Sequence, residues 1–209
     1  MDGEESRRFA LIGLSVFALD KLVTSLINVL GLRELRFLFV DTITLTAIVS
    51  NWALPLIVVF LVEGRGWDTL GLQIKRERYT LYSVLALVGL VLPALFLGFD
   101  RALVVELAEQ LAYIGLAEEF FFRGYLMTRF CDWLGGAKGL LVNGAVFSLA
   151  HVVSLVSRYG LAYPAWEATM GLQTLAGGLL LGYIYLRSGD IVPCSILHIS
   201  MNAYLSRLG

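Results

Sequence analysis

The chain has two histidines, His151 and His198, and each lies in an apolar stretch with a notable residue four positions away. Phe147 precedes His151 and Asn202 follows His198, at the i and i+4 spacing that puts two side chains on one helix face. A third cluster, AEEFFFRGYL at residues 117–126, carries the adjacent carboxylates Glu118 and Glu119 ahead of Arg123. Glu119 and Arg123 share the same spacing and can pair. Glu118 lies about 100° around the helix and has no cation at helical spacing. One carboxylate is neutralised and the other is available.

These groups suit hydrolysis of a peptide bond. A base must activate water, which Glu118 can do, with His151 sharing or relaying the proton. The oxyanion needs donors, which His198 and the Asn202 amide can supply. Ser148 and Ser195 each lie three residues from a histidine, but serines in membrane helices ordinarily bond their own backbone, so neither reads as a nucleophile. His151, His198 and a glutamate also match the ligand types of catalytic zinc, which makes a zinc-dependent protease the rival chemistry. No local zinc motif is present, so the residues leave a metal open without demanding one. Each polar residue taken alone reads equally well as a satisfied structural hydrogen bond. Polar groups in lipid must meet one another or water, however, so the set in the last four helices reads as one site.

The elements that position them are membrane helices. Of 209 residues, 58% are hydrophobic and 16% charged, against about 45–50% and 25% in a soluble domain. The mean hydropathy is +0.77. The net charge of -1 and the lack of a basic tract give no sign of nucleic acid as a partner. Cys131 and Cys194 have no metal-type spacing and read as free thiols. MDGEESRRF leads into a long apolar segment without a cleavage signature, so that segment reads as retained.

Seven apolar stretches, at about 9–30, 37–62, 79–99, 102–130, 137–156, 169–187 and 189–207, each predict a helix. Asp20 and Lys21 interrupt the first, which is either one helix with an internal pair or two shorter pieces. The expected fold is an all-α polytopic membrane bundle of seven or eight transmembrane helices around an intramembrane polar cavity. Residues 1–99 would form N-terminal helices and a basic loop, and 100–209 a catalytic core of about four helices. That loop, 63–78, places Trp67 and Leu70 at the water boundary. Nine lysines and arginines fall on the side of the N-terminus and this loop, against five on the other, which puts the loop in the cytoplasm. Asp41, Glu106 and Glu109 read as carboxylates reaching the interface, and Gly178 with Gly182 as a close-packing pair.

Taken in order, Glu118-Glu119-x-x-x-Arg123, Phe147-x-x-x-His151 and His198-x-x-x-Asn202 resemble the three motifs of the CPBP family, the CAAX proteases and bacteriocin-processing enzymes also called Abi. The stretch GGLLLGYIYLRSGDIVPCSILHISMN resembles that family's last two core helices, so the resemblance covers about residues 100–209. Before it, only WDTLGLQ is loosely similar. The resemblance implies an intramembrane endopeptidase with a cavity open toward the cytosol and no protein nucleophile. Members are described both as metalloproteases and as metal-independent glutamic proteases, and the expectation here is the glutamic form, without a cofactor. Glu118 and His151 would activate water, His198 and Asn202 would hold the oxyanion, and Glu119, Arg123 and Phe147 would support them. Membrane lipid and a peptide or prenylated-protein substrate are the implied partners, and eukaryotic relatives cut after a prenylated cysteine. A short chain without a targeting tail fits a multi-pass protein of a cell membrane, with a prokaryotic plasma membrane preferred. Two other readings are a non-catalytic scaffold or immunity protein that keeps these residues for structure, and a transporter using the carboxylates as a proton relay. Inverted repeats would favour the transporter, and the sequence has none.

Overall fold

The computed structural model describes residues 2–37, 40–72 and 76–208. Among these, eight helices follow one another: α1 (Gly3–Val29), α2 (Thr42–Val62), α3 (Arg76–Leu97), α4 (101–114), α5 (115–134), α6 (Gly136–Tyr159), α7 (Pro164–Ser188) and α8 (Ile191–Leu208). A two-residue antiparallel ribbon, Arg36–Phe37 with Val40–Asp41, joins α1 to α2. Within the basic loop, residues 73–75 lie outside those described, and a 3-10 turn spans Trp67–Leu70. The architecture is an all-α membrane bundle. Large apolar side chains point outward, among them Leu61, Leu85, Val88, Leu95 and Phe96, the reverse of a water-soluble protein. By length and composition α1, α2, α6 and α7 are each able to cross a membrane, and Thr80–Phe96 forms a shorter apolar helix. The 102–130 stretch carries too many charges for that test, because it holds the site.

The eighth helix arises in the fourth apolar stretch and not in the first. α1 runs unbroken, with Lys21 and Asp20 paired at 2.9 Å inside it. The division falls at Ile114, whose backbone leaves helical geometry (φ -114°, ψ -77°) after a π-helical turn at Gln110–Ile114. Gly115 follows it, and a Cβ there would lie 2.6 Å from Ile199 Cγ1, so its bare backbone lets α5 close on α8. α4 and α5 together run antiparallel to α8: Leu103 clusters with Ala203 and Tyr204, Gln110 meets Asn202, and Glu119 meets His198.

α5 is the central helix. Every residue of Phe120–Met127 is buried, as expected for a helix surrounded on all sides. This segment is wound as a π-helix, whose wider turn weakens the regular backbone ladder. Side chains take up the carbonyls instead. Asn143 donates to Phe122 O (2.8 Å), Thr128 Oγ1 to Gly124 O (2.9 Å), and Arg129 Nη1 to Tyr125 O (3.3 Å). α6 and α7 pack closely beside it through Gly144, Gly178 and Gly182. A Cβ on Gly178 would sit 3.3 Å from Gly144 Cα, and one on Gly182 2.6 Å from Leu140 Cδ1.

Arg129, counted from sequence among the loop cations, is instead fully buried. Its Nε and Nη2 donate to Glu63 Oε1 and Oε2 (3.2 and 2.5 Å), and Nη1 donates to Thr69 O (2.7 Å). This pair ties the 63–72 connection to α5, and Gly124 completes the seat: a Cβ there would lie 2.3 Å from the Leu70 carbonyl oxygen. Gly71, at φ +71°, then bonds Ile191 N through its carbonyl (2.9 Å), which fixes the start of α8. Asp41 caps α2, accepting from Thr44 N (2.8 Å), and this hydrogen bond holds its carboxyl below the ordinary carboxylate range. Its role at a helix end is structural. The side chain of Glu109 lies outside the described residues.

Four substitutions, two at helix glycines and two at ion pairs, test these contacts. Gly124→Ala forces the Leu70 backbone away and should cost about 1–3 kcal/mol. Gly177→Ala, whose Cβ would meet only Met201 Cε at 3.9 Å, should be neutral or slightly stabilising. Glu63→Ala leaves Arg129 buried without a counter-charge and should cost about 3–5 kcal/mol. Arg65→Ala, which breaks the half-exposed pair with Asp132, should cost about 0–1 kcal/mol. Thermal unfolding in detergent reads all four, and equal midpoints for Glu63→Ala and Arg65→Ala would refute this account of the connection.

Candidate active site

Glu119 is fully buried, and its Oε1 accepts two hydrogen bonds, from Arg123 Nη1 and from His198 Nδ1, each 2.8 Å. The Arg123 bond is the i, i+4 pair within α5, and the His198 bond brings in α8 from 79 positions away. Arg123, also fully buried, donates through Nη2 to Gly178 O on α7 (3.3 Å) and lies 4.4 Å over the Phe147 ring of α6. The pair therefore joins four helices. A carboxylate sealed this deeply is tolerable only with its charge matched; both bonds fall on Oε1, and the equally buried Oε2 has no hydrogen-bond partner among the described residues.

Glu118 faces the other way and keeps partial exposure. Its Oε2 lies 3.9 Å from Nε2 of His151 and 3.9 Å from Nε2 of His198. Both distances exceed a direct hydrogen bond and suit a bridging water or a reacting group. The histidine tautomers follow from their other nitrogens. His151 Nδ1 lies 2.9 Å from Phe147 O, which only accepts, so Nδ1 carries the proton and Nε2 is turned to Glu118. His198 Nδ1 likewise lies 2.8 Å from Glu119 Oε1, an oxygen that also accepts from Arg123, so Nδ1 carries the proton there. Phe147 braces this group, its ring centroid 4.5 Å from that of His151 and 5.9 Å from that of His198.

Asn202 lies one turn beyond His198 and donates through Nδ2 to Gln110 Oε1 (2.9 Å). An amide carries two N–H groups, so one remains for a ligand. The site thus brings together Glu118, His151 and His198, backs them with Glu119, Arg123 and Phe147, and holds Asn202 on the next turn of α8. Ser195 bonds its own helix at Ile191 O (2.9 Å), while Ser148 reaches across to Gly171 O on α7 (2.7 Å). Neither contacts the histidines as a nucleophile would. The nitrogens of His151 and His198 and the Glu118 oxygen are of the types zinc takes. Among the described residues, however, no group of three His, Cys, Asp or Glu side chains is arranged to hold a metal ion.

Two supporting residues carry little or no signal in the sequence. Gln110 positions the Asn202 amide across the α4–α8 contact, and no local spacing announces such a pair. Asn143, fully buried, holds the Phe122 carbonyl. It does carry a signal, standing one turn before Phe147 and two before His151 on the same face of α6.

A cavity of about 540 Å³ leads to Glu118 and His151. Its walls come from the second half of α1, the first half of α2, the second half of α6 and the first half of α7. It therefore extends toward the end of the bundle that carries the α1–α2 and α6–α7 connections, away from the 63–72 connection. The charge count puts the basic loop in the cytoplasm, whereas the family resemblance puts the cavity mouth there. With cavity and loop at opposite ends, the two expectations exclude each other. Arg129, buried against Glu63, drops out of the loop count and narrows its margin.

The family model for the type II CAAX prenyl endopeptidase, Rce1-like, matches residues 100–204. That is half of the chain, and the match contains Glu118, Glu119, Arg123, Phe147, His151, His198 and Asn202. Comparisons with curated proteins and with solved structures gave no match. The motifs, the membrane bundle and the family match agree, and this chain belongs to the Rce1-like family of type II CAAX prenyl endopeptidases.

Proposed function

We propose that this protein is an intramembrane endopeptidase that cuts a peptide or a prenylated protein with a water activated by Glu118. The observation that carries the reading is the convergence of Glu118 Oε2 with the Nε2 atoms of His151 and His198, each 3.9 Å away. Water held by Glu118 and His151 attacks the scissile carbonyl carbon and passes a proton to Glu118. The oxyanion takes hydrogen bonds from the Asn202 amide and from His198, which donates through Nε2 when both its nitrogens are protonated. Its Nδ1 meanwhile stays against Glu119 Oε1, 2.8 Å away, which fixes the orientation of the ring. Collapse of the intermediate breaks the C–N bond, and Glu118 returns the proton to the leaving amine. No covalent enzyme intermediate forms. Exclusion of bulk water strengthens each of these interactions.

The test is cleavage of quenched peptides, prenylated and unprenylated, by purified protein in detergent. Glu118→Gln should fold normally and lower kcat by on the order of 10²–10⁴-fold. An active Glu118→Gln protein would sink the reading. Cleavage indifferent to a strong chelator is expected, whereas loss with chelator and recovery with zinc would turn His151, His198 and Glu118 into metal ligands. Gln110→Ala should release the Asn202 amide and lower kcat by roughly 10-fold, less than loss of a whole oxyanion donor. KM should change little. A fall in KM and kcat together would mean that Gln110 acts elsewhere.

A further inference from the structure

The cavity beyond Glu118 has a lining in helical register. On α1, Lys21, Thr24 and Asn28 stand at i, i+3 and i+7, and on α6, His151, Ser154 and Arg158 repeat that spacing. Asn28 Nδ2 donates to Ser157 Oγ (2.9 Å) and Ser154 Oγ to Ala150 O (2.8 Å), and the remaining polar atoms of the rows favour a polar occupant or water between them. An extended peptide offers N–H and C=O groups along its length, each needing a partner once it leaves bulk water. A hydrocarbon chain offers none. The rows therefore offer partners to a peptide backbone, while Ile43, Ala47, Leu155 and Met170 give the same cavity an apolar wall for its side chains.

The charges along the cavity are uneven. Lys21 is paired with Asp20 at 2.9 Å. Arg33 and Arg158 line the same cavity, and among the described residues neither takes part in an ion pair. Arg158 rests 4.9 Å over the Tyr159 ring and is exposed at the end of α6. From His151 to Arg158 is seven residues, a rise of about 10 Å along the helix. Three extended residues span about 10 Å. A CAAX substrate cut after its cysteine carries three residues beyond the scissile bond, ending in a free carboxylate.

We infer that this cavity holds the C-terminal segment of the substrate beyond the scissile bond, with Arg158 and Arg33 pairing its terminal carboxylate about one tripeptide length from His151. This inference rests on the endopeptidase reading above. It makes the two arginines specificity determinants that select a free C-terminus and measure its distance from the cut. An internal peptide bond at the same depth has no counter-charge for them and too much chain for the space.

Binding tests it apart from catalysis. Fluorescence anisotropy would compare the Glu118→Gln protein in neutral detergent with two labelled CAAX-type peptides, identical except for a free-acid or amidated C-terminus. The free acid should bind roughly tenfold more tightly. Adding Arg33→Gln and Arg158→Gln should bring the two peptides within roughly twofold by weakening the free acid alone. Equal binding before those substitutions, or a preference surviving them, overturns the proposal. So does a loss shared by both peptides, or one seen only in vesicles of anionic lipid, which would make the arginines contacts for a lipid phosphate. Glu118-dependent cleavage without carboxylate preference would leave the endopeptidase reading standing and remove this one. Carboxylate preference in binding, with cleavage indifferent to Glu118, would do the reverse.

Discussion

Glu119 imposes its requirements on most of the bundle. A carboxylate without solvent needs a cation, and Arg123 supplies one from the next turn of the same helix. That guanidinium is then itself buried and needs acceptors and a surface. It finds Gly178 O and the Phe147 ring only because α6 and α7 approach through Gly144 and Gly178. The same Glu119 oxygen takes the His198 proton, which draws in α8, and α8 closes on α5 because Gly115 has no side chain to meet Ile199. In this way one buried charge connects Gly115, Gly144, Gly178 and the aromatic brace. Glu118, one residue earlier, inherits a site that its neighbour has already shaped.

Much of this was legible in the sequence, and the legible part has a common physical basis. The pairs Glu119 with Arg123, Phe147 with His151, and His198 with Asn202 all sit at helical spacing, so periodicity alone puts each on one face. Seven apolar runs likewise announce helices by length. What escaped was non-local. Gln110 with Asn202 and Glu63 with Arg129 are contacts between distant segments, and nothing in the spacing of either partner names the other. Arg129 in particular looks like an ordinary loop cation until its burial is seen. The division at Ile114 escaped for a related reason. The first apolar run holds visible charges yet stays whole, because Asp20 and Lys21 neutralise each other, whereas the fourth bends at an apolar residue beside a glycine.

The membrane orientation shows what each kind of reading is worth. The count of lysines and arginines treats every cation between helices as free in water. The fold withdraws Arg129 from that role, and it groups Arg33 and Arg158 at the cavity instead of dispersing them. Cations buried in the protein or facing its cavity say little about which side a loop occupies; those that touch neither carry the sidedness of this chain.

The π-helical winding of Phe120–Met127 has a consequence for how this sequence can change over time. A π turn is what remains when a helix takes in an extra residue without losing its ends. The two carboxylates lie just before it, and Arg129 with its anchor to the 63–72 connection lies just after. Gaining or losing one residue between them would rotate one end of α5 by about 100° against the other. Glu118 and Glu119 would then no longer divide their duties between cavity and core while the connection stayed seated. A change of length inside this segment therefore disturbs both ends of α5 at once, whereas a change of side chain disturbs one.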